Sequence, residues 1–536
     1  MEKNYQDINA VSINRNYFNY GLNIADILIK AGKYEDAAQY LNNLASFAWF
    51  STTGYYTSGK LEHQLNTLGE KIADPQKSTK NRTGNYKKSN VLHVASSLYE
   101  VGGHTQVLFN WIKLDDKHSH HIILTNQSIK DLPKKKIDVF GFEKSMFTTL
   151  NDSESLLKKA LVLRNYAQDF DYIVLHIHPN DVIPSIAFAT NNLPPVLFFN
   201  HADHLFWVGT SVIDILLQIR ESNIELDKKR RKIEKQQLYL PIPILDFENP
   251  LGADNKYLTA RKQLAIEHQE IVLLSTGNEY KFKPFGNHNL FEAIIPILNK
   301  HPEVVLYIAG IPNHSELAKK YNHKQIKFLG IVSTTELSTY EFACDIYIET
   351  MPCSSFTAML QPVLKKKVIH LMHNPSKVIQ VFPNIPPFEY SDSIEEWGEK
   401  LDDLILNSHK RTDLGNTQYT SLQNTYSSQI WKNTLDIVYE FADKTTHSFS
   451  SHREERYFED EDTAFIHFLD SNYYINYGLH THNLPFINKI KHILSYFLKE
   501  QPKNVKLRKR DILTMFFFNF KLYQLLMKKF KKYNKK

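Results

Sequence analysis

Between Ile271 and Gln361 short apolar runs alternate with segments of helical spacing, and this alternation restricts the fold more than any other feature of the chain. Ile271-Val-Leu-Leu-Ser-Thr276, Val304 to Gly310 and Asp345-Ile-Tyr-Ile-Glu349 read as strands, and strands separated by helices predict a parallel α/β sheet. The first strand stops at Gly277 and enters a polar turn carrying Asn278, Lys281 and Lys283. The third runs into Thr350-Met-Pro-Cys-Ser-Ser-Phe-Thr357, where Ser354, Ser355 and Thr357 crowd the start of a helix that reaches Gln361. Open parallel sheets bind ligands beyond the carboxyl ends of their strands, and helix N-termini offer N–H donors and positive potential. These turns therefore predict one site for a nucleotide diphosphate.

A second alternation precedes it. Val91-Leu-His-Val-Ala-Ser-Ser97 reads as a buried strand, and Val101-Gly-Gly-His-Thr-Gln106 as a turn entering a helix through Val107, Leu108 and Trp111, with Thr105 as its cap. The turn, with Gly102, Gly103 and His104, lacks the full dinucleotide fingerprint, which argues against hydride transfer. His121 to Thr125 is another strand, and a lysine-rich connection leads on to Ile137 through Phe140. Asp171-Tyr-Ile-Val-Leu-His176 ends in His176, His178 and Asn180; Pro195-Val-Leu-Phe-Phe199 ends in Asn200, His201, Asp203 and His204. Two strands that finish in histidine-bearing turns put those groups on one rim. Their spacing matches no helix-borne metal motif, so no metal is expected. Ser211 to Arg220 reads as an amphipathic helix, and Asp227 to Lys235 as a solvated helical face.

The flanks differ from these halves. Residues 1–73 are predicted to form a helix, a tight turn at Ala31-Gly-Lys33 and a second helix, a packing or oligomerising cap. Residues 74–90 are a polar linker, and 91–250 and 251–442 are two Rossmann-like domains hinged near Glu248 to Asn255. A short strand, Val368 to Met372, an irregular turn at Pro383 to Pro387 and helical segments complete the second. Residues 443–536 form a helical extension. Its last part, 503–536, has twelve Lys or Arg against one Asp, leaving a net −5 for the rest of a chain whose total is +6. Phenylalanines set among these lysines suit an anionic membrane surface; a protein partner would use the same composition, while nucleic acid is disfavoured because no motif for it accompanies the charge. Two cysteines, no apolar run of about 20 residues and no secretory leader predict a cytoplasmic protein peripheral to the inner membrane face.

Tyr280-Lys-Phe-Lys-Pro284, followed by Ile348-Glu-Thr-Met-Pro352 and its Ser/Thr-rich turn, resembles the donor half of nucleotide-sugar glycosyltransferases of the two-Rossmann GT-B fold, notably the O-GlcNAc-transferase-like branch. His176-Ile-His-Pro-Asn180 and Phe199-Asn-His-Ala-Asp-His204 resemble the acceptor half of the retaining group that includes lipid and polysaccharide mannosyltransferases. The resemblance covers Val91 to Ile369. It implies two domains facing across a cleft, with the turn Gly102-Gly103-His104 near acceptor and sugar and with His176, His178 and Asn180 on the acceptor rim. It gives Lys281 the diphosphate, Asn278 and Lys283 the donor, and Ser354, Ser355 and Thr357 the phosphate turn.

His201 then lies against the donor sugar, and Asp203 or His204 is the alternative catalytic base. The implied enzyme is a metal-independent hexosyl- or N-acetylhexosaminyltransferase that takes a sugar nucleotide, UDP-linked, as co-substrate and needs no cofactor. Its acceptor is a cell-surface glycan, a lipid-linked saccharide or a protein. Where many retaining relatives carry two glutamates eight positions apart, this chain has Cys353 and Gln361. That departure leaves room for a non-catalytic partner subunit, and the shared architecture leaves room for a nucleotide-sugar 2-epimerase.

Overall fold

The computed structural model describes residues 4–73, 89–100, 102–150, 154–245, 253–372, 375–376, 380–382, 386–451, 454–470, 475–476, 481, 483–503 and 505–506. Most of the 74–90 linker, residues 248–252 of the 248–255 hinge, part of the turn at 383–387 and the tail beyond residue 506 lie outside this set. The chain forms two compact units, residues 1–240 with 435–536, and residues 241–434.

The first unit begins with three helices, α1 (Asn4–Lys30), α2 (Tyr34–Phe50) and α3 (Gly59–Gly69), one more than the sequence periodicity suggests. Then follow β1 (Asn90–Ala95), α4 (Gly103–Leu114), β2 (Ser119–Leu124), α5 (Lys134–Phe140), β3 (Phe147–Thr149), α6 (Leu156–Ala167) and β4 (Tyr172–His176). After them come α7 (Val182–Ala187), β5 (Val196–Asn200), β6 (Ile215–Gln218), α8 (Asn223–Arg231) and β7 (Gln236–Tyr239). All seven strands are parallel, in the order β3-β2-β1-β4-β5-β6-β7. Phe18, Leu41, Phe47 and Leu65 of α1 to α3 share one hydrophobic core with Ile173, Leu175 and Phe198 of the sheet and Ile183 of α7.

Two local expectations fail here. Ser211 to Arg220 holds β6 rather than a helix, because Ile215, Leu216 and Leu217 are apolar on both sides and fill a strand position covered on both faces. The charged run that starts at Asp227 is not a solvated face either. Asp227, Arg230 and Arg231 are buried, since Arg231 pairs with Asp227 one helical turn away and Arg230 with Asp462.

The second unit comprises α9 (Ala253–Gln263), β8 (Ile271–Thr276), α10 (Leu290–Lys300), β9 (Val304–Ala309), α11 (Glu316–Lys320) and β10 (Ile326–Gly330). It continues through α12 (Thr334–Ala343), β11 (Ile346–Ile348), α13 (Phe356–Leu364), β12 (Val368–His370), α14 (Ile394–Leu406) and α15 (Ser408–Tyr426). Its parallel strands run β10-β9-β8-β11-β12 around a core of Leu273, Ile308, Ile346 and Trp397. Helix α16 (Ser428–Asp443) carries the chain back to the first unit, which also holds α17 (Glu461–Phe468) and α18 (Phe486–Leu498). Buried His447 anchors the returning segment. Its Nδ1 lies 2.7 Å from Asp214 Oδ2 and its Nε2 2.9 Å from the Phe188 carbonyl.

Candidate functional site

Each sheet reverses its strand order once, beside β8 and β11 in the second unit and beside β1 and β4 in the first. Crevices open at such switch points, beyond the carboxyl ends of the strands. The candidate residues are found there.

In the second unit the turns after β8 and β11 interlock. Lys281 Nζ donates to the Ser354 carbonyl at 2.6 Å, and the Cys353 N–H points back at the Lys281 carbonyl at 3.4 Å. A side chain at Gly277 would meet Ser355 Oγ at 2.7 Å, so glycine is what lets the two turns close. Ser354 and Ser355 are buried at the start of α13, and neither hydroxyl has a hydrogen-bond partner. Helix α13 begins without a side-chain cap, so its first N–H groups stay available. Burial holds the Lys281 ammonium below the ordinary lysine range, against the pull of Cys353 and Glu349. A strained cation, two orphan hydroxyls and an open helix N-terminus make a cradle for an anion such as a phosphate.

The remaining predicted donor residues lie around this cradle, and the Asn278 carbonyl accepts the Lys281 N–H at 2.9 Å. Asn278, Lys283 and Thr357 are exposed; Gln361 is partly buried, and its carbonyl accepts from Lys365 at 3.5 Å. Cys353, the residue in the first glutamate's place, is buried next to Lys281, and burial raises its thiol pKa. Buried Glu349 also belongs to the neighbourhood, accepting from the Met372 N–H at 3.2 Å, although only its place in the strand-end run hinted at it.

In the first unit the turns after β1, β4 and β5 bring His104, His178 and His201 together. The rings of His104 and His201 lie 4.6 Å apart, and those of His104 and His178 6.0 Å apart. Gly102 takes φ +128° ahead of α4, a conformation that favours glycine. Thr105 does not cap that helix; its hydroxyl accepts the Tyr99 N–H at 2.8 Å and so closes the preceding loop.

His176 departs from the predicted rim. Its side chain is buried and faces His93, at 3.1 Å, while its carbonyl accepts from His104 Nε2 at 2.8 Å. A row of imidazoles continues inward through His93 and His120 to the Asp115 carbonyl, whose acceptor-only oxygen sets the direction of donation. Burial drives His93 and His176 well below the ordinary imidazole pKa, so both are neutral. A polar residue inside an otherwise apolar strand, Leu-His-Val, was the one sequence sign of this row. Asn180 is likewise committed, donating to Ser46 Oγ of α2 at 2.7 Å.

Among the three predicted catalytic residues, Asp203 is a structural anchor. Its buried carboxylate accepts from Arg220 Nε at 2.9 Å, from Asn223 and from His204 Nδ1 at 3.2 Å. Burial alone would raise its pKa, but Arg220 and His204 together outweigh that and hold it well below the usual carboxylate range, the wrong direction for a base. His204 turns to a different pocket, formed with Trp49, Tyr55 and Tyr56. His201 remains at the rim. Burial, with His178 and His176 nearby, lowers its pKa to about 4, and Nδ1 lies 3.4 Å from the Phe199 carbonyl. Among the described residues no three His, Cys, Asp or Glu side chains are placed to share a metal ion.

No protein-family model and no curated protein sequence matches the chain. Solved structures do. A glycosyltransferase from Rickettsia africae superimposes with a TM-score of 0.52 at 14% identity, over 67% of this chain and all of that one. Anabaena HepE in complex with UDP and glucose gives 0.50 at 12% identity, over 66% of this chain and all of its own. The Thermobaculum terrenum O-GlcNAc transferase gives 0.45 at 12% identity, over 79% and 84%, too distant to carry an argument. The first two likenesses, together with two parallel sheets of Rossmann type, settle the architecture: the chain has the fold of the GT-B glycosyltransferases.

Proposed function

We propose that the protein is a glycosyltransferase that moves a hexosyl or N-acetylhexosaminyl group from a UDP-linked donor to a glycan, lipid-linked or protein acceptor. The observation that carries the reading is the cradle of Lys281, Ser354 and Ser355, one cation and two unpartnered hydroxyls at the switch point of the second sheet. Cleavage of the bond from the anomeric carbon to the β-phosphate oxygen leaves negative charge on the diphosphate. Lys281, the hydroxyls and the α13 N–H groups would stabilise that charge in place of a metal ion. HepE, of the same fold, was crystallised with UDP and glucose.

His201 fits a positioning role better than a basic one. With a pKa of about 4 it is a weak proton acceptor at neutral pH, but its lone pair can orient a sugar hydroxyl. Calorimetric titration with UDP and a donor-hydrolysis assay test the reading. Binding and turnover, both lost in Lys281→Ala with folding intact, are expected; a full-length protein that binds no nucleotide would refute it.

Cys353 beside Lys281 and Gln361 in the next helix turn favour a second reading, a non-catalytic subunit that binds donor without cleaving it. Nucleotide binding without hydrolysis or transfer would select it.

The same proposal places the protein at the inner face of the membrane. Predicted tail 503–536 lies largely outside the described residues, but α18 just before it supports contact with a lipid surface. Phe486, Ile487, Leu494, Phe497 and Leu498 are 51–80% exposed and fall within about 120° of the helix circumference, while His492 on the opposite side is buried. Lys489, Lys491 and Lys499 on the same segment suit anionic headgroups.

A further inference from the structure

Three strands of the first sheet carry histidine where a strand covered on both faces ordinarily carries an apolar side chain. The register puts His120 of β2 opposite Val91 of β1 and His176 of β4 opposite Ala95, with His93 midway between those two positions. Val91, His93 and Ala95 are spaced by two, so the three imidazoles share one face of the sheet. They climb diagonally across β2, β1 and β4 over four residues of strand, about 13 Å from the amino edge of the sheet to its carboxyl edge.

The row is continuous. His176 Nε2 lies 3.1 Å from His93 Nδ1, and His93 Nε2 lies 3.0 Å from His120 Nδ1. His120 Nε2 lies 3.0 Å from the Asp115 carbonyl and 3.6 Å from Asp115 Oδ2. Because that carbonyl only accepts, each neutral ring donates from Nε2 toward Asp115 and accepts at Nδ1. Trp111 of α4 stands edge-on to His93 at 5.7 Å and to His176 at 5.6 Å, and both histidines are buried.

The two ends differ. At the carboxyl edge, His176 Nδ1 carries a lone pair with no partner among the described residues, and its ring stands 6.5 Å from that of His104 at the rim. At the amino edge, Asp115 also meets His118 Nδ1 at 2.7 Å and accepts from the Tyr439 hydroxyl of α16 at 2.9 Å, and His118 and His120 are partly exposed. Each buried imidazole costs desolvation that a leucine avoids. A directed chain of them can do what apolar side chains cannot, which is to pass a proton from end to end.

We propose that His176, His93 and His120 form a proton path that carries the proton released by sugar transfer from the rim to Asp115 at the opposite edge. The proposal rests on the transfer reading above. As the acceptor oxygen bonds to the anomeric carbon and the bond to the diphosphate oxygen breaks, that bond's electron pair stays with UDP and the acceptor hydroxyl gives up its proton. The proton goes to His176 Nδ1, the Nε2 proton of His176 to His93 Nδ1, and that of His93 to His120 Nδ1. The Nε2 proton of His120 goes to the Asp115 carboxylate, from which His118 and solvent take it. Each ring gains one proton and loses one, so no imidazolium forms, a state that burial disfavours in His93 and His176.

The full-length protein is tested in two arms, with UDP binding measured in parallel. Magic-angle-spinning NMR of protein labelled with 15N-histidine should find all three rings neutral and protonated at Nε2, with nitrogen couplings across both imidazole contacts. Hydrolysis of UDP-glucose, UDP-galactose and UDP-N-acetylglucosamine, in which water replaces the acceptor and releases the same proton, reads the path itself. In His93→Gln the amide accepts from His176 and donates to His120, so the contacts survive while the relaying ring is gone. Its melting temperature and UDP affinity should match the parent's, and its turnover should fall about tenfold or more. The dependence of rate on deuterium fraction, bowed in the parent because several protons move together, should become linear. His120 is near the surface, so added imidazole should restore turnover to His120→Ala, which reports even if His93→Gln is poorly folded.

The proposal falls if His93 or His176 is protonated at Nδ1, or if His93→Gln turns over at the parent's rate. It falls equally if that variant slows with the bowed dependence unchanged, or if UDP binds and no donor is turned over. A row directed as stated in a protein that binds no UDP would sink the donor reading and leave the path standing.

Discussion

Lys281 Nζ lies 2.6 Å from the Ser354 carbonyl, a contact between turns 73 residues apart that puts the one cation of the cradle beside its two unpartnered hydroxyls. The ammonium is held there at a cost, since burial disfavours its charge. Binding and stability should therefore respond to this residue in opposite directions.

Replacing Lys281 by Met removes a charge-assisted contact worth about 1.5–3 kcal/mol, so UDP should bind roughly ten- to a hundredfold more weakly by calorimetry. The sign for stability is the reverse. Because the folded pKa lies below that of an ordinary lysine, the desolvation cost is present at neutral pH and disappears only as pH rises through the folded value. The melting temperature of ligand-free Lys281→Met should equal or exceed that of the parent.

Gly277→Ala should damage the same site by steric means. Its Cβ would stand 2.7 Å from Ser355 Oγ and 3.0 Å from Thr350 Cγ2, so the Ser355 side chain must turn aside or the turns must separate. A loss of about 1–3 kcal/mol in urea unfolding, with weakened UDP binding, is expected.

Asp203 and His201 should separate cleanly. Asp203→Ala strands Arg220 in the interior and should cost about 3–5 kcal/mol of stability. His201→Ala should leave the melting temperature nearly unchanged while lowering donor turnover.

Acid should weaken the first unit through its buried histidines. His93, His104 and His176 sit well below the ordinary value of about 6.5, and His201 at about 4, so the unfolded chain takes up these protons first. Their contribution is complete above pH 6.5 and is lost as pH falls through the interval down to the folded values, by about 1.4 kcal/mol per pH unit for each ring. Urea midpoints at pH 7.5, 6 and 5 should decline accordingly.

Replacing Leu494 and Phe497 of α18 by Ser should shift the protein from sedimenting with anionic vesicles to the supernatant, without changing UDP affinity. Undiminished co-sedimentation would remove α18 from the membrane contact.

The sequence by itself determined most of the elements. Strand runs and helical spacing marked two parallel α/β halves, and Lys281, Ser354, Ser355, His178 and His201 were legible because strand-end turns are local features. Those local patterns could not distinguish a strand covered on both faces from an apolar helix at Ser211 to Arg220, nor tell that Asp227 and Arg231 would neutralise each other inside the protein.

Only the tertiary structure decided which turns meet. Strand order places β11 beside β8 rather than β10, which joins Lys281 to Ser354, and places β4 beside β1, which joins His178 to His104. It also gave Asp203 to Arg220 and brought Trp49 to the histidine rim from more than a hundred residues away. The physical reason is range: periodicity reports the environment of one segment at a time, whereas burial and pairing depend on partners that the chain supplies from elsewhere.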